Sequence, residues 1–223
     1  MSSPVASPTA RRSRLAAVAD RLAPAAGWSC QSAVLGTEAL LCFDLDRYEH
    51  SRRRRAGLGA VVDVGVLDLL LGLPPGRPID RMGLGGRERR AVAKAPPGCL
   101  RVDDRSVIRL ARPLVKVEVA VISTRGWRRG LEQAGRFAPF CARAIVLDRA
   151  PRDLLAACVE ADFYGVGLFL AGEGSPVEML VAPEPCRAAR VSARTWWFTE
   201  EVYRAHLAEC PIAPGRAASS ERA

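Results

Sequence analysis

Between residues 114 and 122 the chain reads LVKVEVAVI, in which Val115, Val117, Val119 and Val121 alternate with Lys116, Glu118 and Ala120. Successive side chains of a strand point to opposite faces. The pattern therefore predicts a strand with one unbroken apolar face and with an ammonium and a carboxylate side by side on the other. Over 127–142 the period changes. Trp127, Leu131, Ala134, Ala138 and Cys141 recur at three- and four-residue spacing, which predicts a core-facing helix, with Pro139 placed to kink or end it. Shorter signals follow: a strand at 144–147, a helix at 152–161, a strand at 166–170, an EGSP turn and a strand at 177–181. This alternation predicts an α/β fold with parallel pairing, closed by an antiparallel hairpin. A last helix over 199–210 is expected to open with Thr199 as N-cap and with Glu200 and Glu201 in its first turn.

Upstream, a short basic helix is expected over 11–22, then strands at 28–34 and 39–45 joined around Gly36-Thr37. The apolar run VVDVGVLDLLLGL within 57–73 has no clean period and suits helix or strand, until Pro74, Pro75, Gly76 and Pro78 stop it. A basic helix at 87–94, a break at Pro96-Pro97-Gly98 and a hairpin turning at Asp103-Asp104 complete a winged-helix-like outline over 62–112. The expected organisation is a disordered basic arm (1–10), an N-terminal α+β region (11–100), an α/β core (101–210) and a disordered tail (211–223).

Composition refines this picture. A chain of 223 residues, 49% hydrophobic, can bury a real core. No apolar run reaches the roughly 18 residues of a membrane helix, so no membrane partner is expected. The N-terminal apolar piece LAAVA is shorter than the roughly 7 residues of a secretory signal core, which favours a cytoplasmic protein. The net charge of +9 favours phosphate polyanions as partners. Of the 33 basic residues, however, only Lys94 and Lys116 are lysine, and an Arg and Ala bias of the kind seen in high-GC bacterial genomes supplies part of that charge. The run from Arg52 to Arg55 reads as a solvated face, or as phosphate contacts if it lies beside a groove. Seven cysteines without a C-x-x-C pair predict reduced, mostly buried thiols, and His50 and His206 lie too far apart in sequence to suggest structural zinc. Trp196 and Trp197 read as an anchor docking the last helix, with base stacking as the alternative. The glycines of MGLGG lack the following Lys-Ser/Thr of a phosphate loop.

The strand bearing Glu118, followed by a helix reading Trp127-x-x-Gly130-Leu131-x-Gln133-Ala134-x-x-Phe137, resembles the PD-(D/E)XK nuclease superfamily, as do the later GVGLFL strand and its VEMLV partner. The resemblance covers about a third of the chain. It implies a restriction-endonuclease-like fold, a mixed central sheet flanked by helices, acting on nucleic acid, DNA above all, with a homodimer open as assembly. It further implies that Asp104, or its neighbour Asp103, and Glu118 hold Mg²⁺, that Gln133 braces the site, and that Arg125, Arg128, Arg129 and Arg136 meet phosphates. The pattern departs at one position, since Ala120 stands where the lysine of E-x-K is expected. Lys116 would supply the ammonium in a reversed K-x-E arrangement, whereas a plain surface ion pair with Glu118 is the alternative. The resemblance thus implies either a divergent Mg²⁺-dependent nuclease or a degenerate one that binds without cutting. From another class, a winged-helix-type DNA-binding regulator or interaction module without catalysis also fits, and would expose the Arg87 to Arg90 helix on a positive face.

Overall fold

The structure, a computed structural model, describes residues 8–172, 174–186 and 191–209. In chain order its elements are α1 (Pro8–Leu22), β1 (Trp28–Val34), β2 (Thr37–Leu45), α2 (Arg47–Arg55), α3 (Val64–Gly72), β3 (Pro78–Asp80), α4 (Gly86–Lys94), β4 (Leu100–Val102) and β5 (Ser106–Arg109). They continue with β6 (Val115–Thr124), α5 (Trp127–Gly135), β7 (Ala142–Leu147), α6 (Leu154–Phe163), β8 (Gly167–Leu170), β9 (Glu178–Val181) and α7 (Ala193–Glu209). The fold is α/β. Two compact units divide the chain, one from Met1–Asp44 and Lys116–Arg190, the other from Leu45–Val115 and Val191–Ala223. The units interleave, so the region 11–100 contributes α1, β1 and β2 to the first and the rest to the second. Residues 1–7 and 211–223, most of the expected arm and all of the expected tail, lie outside the described residues, while residues 8–10 belong to α1.

The first unit holds a six-stranded mixed sheet in the order β1-β2-β6-β7-β8-β9. β1 and β2 form the expected antiparallel hairpin, turning at Leu35 (φ 57°) and Gly36 (φ 69°), a pair of left-handed residues whose twist suits a tight hairpin. β6, β7 and β8 are parallel, and β9 closes the sheet antiparallel to β8. On one face, Val119 and Val121 of the alternating strand pack with Leu40, Cys42, Ala144, Val146 and Phe169 beneath Leu15, Val18 and Ala19 of α1. α5 covers part of the opposite face. Its Gly130 sits so close to the sheet that a Cβ would lie 2.5 Å from Thr124 Cγ2 and 3.2 Å from Ile145 Cδ1, which explains a glycine in mid-helix despite its poor propensity. α5 stops at Gly135, seven residues short of the expected end. Residues 136–140 continue as turns because Pro139 has no N–H to carry the ladder, although Phe137 remains fully buried.

The second unit carries a three-stranded antiparallel sheet in the order β3-β5-β4. The ambiguous run after residue 57 resolves as the helix α3, capped by Asp63, whose carboxylate accepts the Val66 N–H at 3.0 Å. Its Val66, Leu67 and Leu70 pack with Trp196 of α7, and its Leu69 packs with Ala91 of α4 and Val107 of β5. α7 begins at Ala193, six residues before the expected start. Ser192 and Thr195 exchange side-chain and backbone hydrogen bonds as its cap, and the Thr199 hydroxyl, inside the helix, donates to the Trp196 carbonyl instead. Trp196 is the expected anchor, 1% exposed.

At the centre of this unit lies Arg53, one of the four arginines read as a solvated run, with no exposed surface. It donates bidentately to Glu200 of α7 (2.8 and 2.8 Å) and to Glu49 one turn earlier (2.9 Å). Beside it the two histidines of the chain meet: His50 Nδ1 lies 3.0 Å from the Tyr203 hydroxyl, and the His50 and His206 rings are 6.4 Å apart.

Two predictions follow from this packing. In the first unit, Gly130→Ala should lower unfolding free energy by about 1–3 kcal/mol through overpacking, and Thr124→Ser, which removes the clashing methyl, should recover most of it in a denaturant-unfolding double-mutant cycle. In the second, burial pushes the His50 imidazole below its ordinary 6.5, with the charges of His206, Arg54 and Arg53 adding to it, and burial lowers His206 against the opposing pull of Glu209. The unfolded chain then takes up protons first, so this contribution to stability is complete above about pH 6.5 and falls as pH drops towards the lower folded values. His50→Gln and His206→Gln should each flatten the pH dependence of the urea midpoint between about pH 7 and 5, and an unchanged slope in both would show that these rings do not report folding.

Candidate nucleic-acid interface

Lys116 and Glu118 lie on the first half of β6, on the face opposite the valines. Lys116 Nζ is 2.6 Å from Glu118 Oε1, with the lysine side chain 77% and the glutamate 35% exposed. Glu118, by hydrogen bond and charge, raises the Lys116 ammonium above its ordinary pKa, and the charge of Asp44 adds to this. An amine held protonated is a donor and a counter-ion, not a proton acceptor. Two residues on, Ala120 is fully buried, so the position where E-x-K would carry its lysine is a closed apolar one.

Asp44, exposed at the end of β2, is the carboxylate that sequence reasoning passed over. The available signal was an acidic residue closing an apolar strand in LCFDLD. Its Oδ1 accepts the Gly27 N–H at 3.1 Å. Asp104 belongs to the second unit, exposed in the turn between β4 and β5, and so does not share a unit with Glu118. Asp103 is committed to that turn. Its carboxylate accepts from the Ser106 hydroxyl (2.8 Å), the Ser106 N–H (2.6 Å) and the Arg105 N–H (3.0 Å), and the Ser106 hydroxyl bond leads in holding it below the usual carboxylate range. Gln133 is half-buried on α5, its side chain unbonded among the described residues.

The arginines expected to meet phosphates divide into two groups. Arg136 donates to the carbonyls of Leu35 and Gly36 (3.2 Å each), tying α5 to the β1–β2 turn. Arg128 lies over the Trp127 ring at 4.1 Å and pairs with Asp153 at 3.1 Å, while Trp127 Nε1 donates to that same Asp153 at 3.0 Å. Arg125 and Arg129 are exposed and unpaired among the described residues.

The test of whether these residues suit Mg²⁺ is the donor set itself. Among the described residues no three His, Cys, Asp or Glu side chains come together as a metal site, and Glu118 is already neutralised by Lys116. A divalent cation that favours clustered carboxylate oxygens does not fit this arrangement.

The second unit offers a different surface. α4 buries Ala91 against α3 and the small sheet, and exposes Arg87, Arg90 and Lys94 at three- and four-residue spacing on one face. Arg87 makes only a long, exposed pair with Asp68 (3.5 Å), and Arg90 and Lys94 make none among the described residues. The β4–β5 hairpin adds the exposed Arg101 and Arg105.

This chain matches no family model, no curated protein and no solved structure. Its functional reading therefore rests on its own residues. No described helix is long and apolar enough to cross a membrane. The thiols of Cys42 and Cys99 are pushed up by burial to about 11, and Cys141 is pushed up further, so these three are packing residues and not nucleophiles. Cys210 lies outside the described residues.

Because the Lys116–Glu118 pair is largely solvated, Lys116→Ala is expected to change unfolding free energy by less than about 1 kcal/mol. A loss above about 2 kcal/mol in chemical denaturation would instead make the pair part of the strand's structural support.

Proposed function

We propose that this protein binds duplex nucleic acid, DNA in the first instance, and does not cut it. The observation that carries the reading is the exposed basic row Arg87, Arg90 and Lys94 on α4. That helix is backed by α3 and followed by a hairpin with Arg101 and Arg105. Helix, strand, helix and hairpin, with the second hairpin strand central in the sheet, supports a winged-helix-type reading of this unit. The unit carries a basic helix and an exposed pair of arginines, the first suited to a major groove and the second to flanking phosphates. The first unit, on this reading, is a degenerate restriction-endonuclease-like core. Support comes from the β6–α5 pair that carries the resemblance, from the closed position at Ala120, and from the Lys116–Glu118 pairing that leaves Glu118 no free charge for a metal.

The reading is tested by titrating labelled 20–30-base-pair duplex of mixed sequence across a salt series. Wild type should bind with an affinity that falls steeply with salt, and Arg90→Ala with Lys94→Ala should weaken binding about 10-fold or more and reduce the salt slope by about 2. No cleavage should appear with Mg²⁺ or Mn²⁺. Binding that ignores the α4 substitutions would move the interface elsewhere. Metal-dependent cutting abolished by Glu118→Ala would replace this reading with a divergent nuclease.

A further inference from the structure

α6 packs the wrong way round for a monomer. Its side against the sheet is small, Ala157 and Ala161 being buried there, whereas its large apolar side chains face outward. Leu155 is 79%, Val159 60% and Phe163 80% exposed, and they recur every four residues along one stripe, which the adjoining Tyr164 (54%) extends. A helix that only had to cover its sheet would carry these residues inward. A contiguous exposed apolar patch of this kind marks an interaction surface.

The patch is also held rigid. Phe163 and Tyr164 form an edge-to-face pair with ring centroids 5.1 Å apart. The helix ends in a Schellman motif, Gly165 N–H to the Asp162 carbonyl (2.9 Å) and Val166 N–H to the Ala161 carbonyl (2.8 Å), with Gly165 at φ 62°. Arg143 donates to the Tyr164 carbonyl. An aromatic end fixed before binding loses little entropy on docking.

We propose that this stripe is the contact face of a homodimer, a second copy of the chain packing its own α6 antiparallel across a two-fold axis at Val159. The charges select this occupant and this direction. The N-terminal end of the helix carries the exposed Arg149 and Arg152, unpaired among the described residues, beside Asp148 and Asp153, which Arg14 and Arg128 already neutralise, and the C-terminal end carries the exposed Glu160 and Asp162. An antiparallel pair sets each basic end against the partner's acidic end, whereas a parallel pair would set like against like. Leu155 of each copy then lies against the aromatic pair of the other, and Val159 meets its own counterpart. The four apolar side chains offer about 500 Å² per copy, so about 1,000 Å² across the axis, the lower bound for a specific interface and one that predicts a moderate affinity. The inference does not depend on the nucleic-acid reading.

Sedimentation velocity on the full chain, without nucleic acid, tests it. The expected result is a dimer at roughly 10 µM that dissociates on dilution, with Val159→Glu, which introduces two facing charges, weakening association at least about 100-fold while leaving unchanged the thermal midpoint measured at a dilution where the wild type is monomeric. Arg152→Glu alone should weaken the dimer, and Arg152→Glu with Asp162→Arg should restore it, a rescue that only the antiparallel arrangement gives. If Val159→Glu unfolds, Leu155→Gln serves as the interface variant, since that side chain is the more exposed. A wild type that stays monomeric at about 100 µM, a dimer indifferent to Val159→Glu and Leu155→Gln, or a monomer that floats with phosphatidylcholine vesicles through this stripe would each overturn the proposal.

Discussion

The second unit depends on the neutralisation of a single buried charge. Burial on its own would lower the pKa of the Arg53 guanidinium, and the hydrogen bonds and charges of Glu200 and Glu49 more than reverse this. Both Glu200 oxygens take part, and Glu200 also accepts from Val61 N–H and Trp196 Nε1, while Glu49 accepts from Arg52 and from the Arg112 N–H. Two arginines and two glutamates thus form a network without net charge. Loss of one partner from such a network costs about 3–5 kcal/mol, because the other is left charged in a dry interior. The constraint this places on the chain is geometric. α7, nearly 150 residues downstream of α2, must return to the same point with Glu200 facing inward, and the capping of α7 at Ser192 in place of Thr199 brings Trp196 and Glu200 onto one face, four residues apart.

The same accounting separates the arginines that build from those that remain free. Arg53 and Arg109 are buried, the second donating to the carbonyls of Leu70 and Ala111 and lying 4.9 Å from the Trp196 ring. Arg136 and Arg128 hold turns and rings in the first unit. A guanidinium committed to fixed acceptors is a poor phosphate ligand, since it would have to give up bonds as strong as those it gained. What stays exposed and unpaired among the described residues includes Arg54, Arg55, Arg90, Lys94, Arg101 and Arg105 on the second unit and Arg125, Arg129, Arg149 and Arg152 on the first. The net charge of +9 therefore does not by itself locate a binding surface, and the face of α4 holds a coherent part of the free positive charge.

The chemistry suggested by the strand motif weakens for a related reason. A carboxylate, an ammonium and a second carboxylate do gather at Asp44, Lys116 and Glu118, but they gather as a neutralised pair with a neighbour and not as an open donor set. A catalytic carboxylate needs a charge left uncompensated until a metal arrives. Here the compensation is internal.

By itself the sequence determined the α/β class, the parallel β6–β7–β8 segment with its antiparallel closure, the β1–β2 hairpin, the basic helix at 87–94 and the hairpin turning at Asp103-Asp104. All of these rest on local periodicity and on turn residues such as Gly36 and the Pro74 to Pro78 run. The alternation in LVKVEVAVI also placed Lys116 and Glu118 together, because faces of a strand are set by covalent geometry. Tertiary structure decided which charges meet across elements distant in sequence. Arg53 is indistinguishable in sequence from its neighbours in the run, yet only it turns inward, since only its position on α2 meets Glu200 of α7. Asp104 looks like a partner for Glu118 by spacing, yet it closes a hairpin in the other unit. Which residues of 11–100 belong to which unit was likewise unreadable, because the interleaving of two compact units is a property of long-range packing that no local period records.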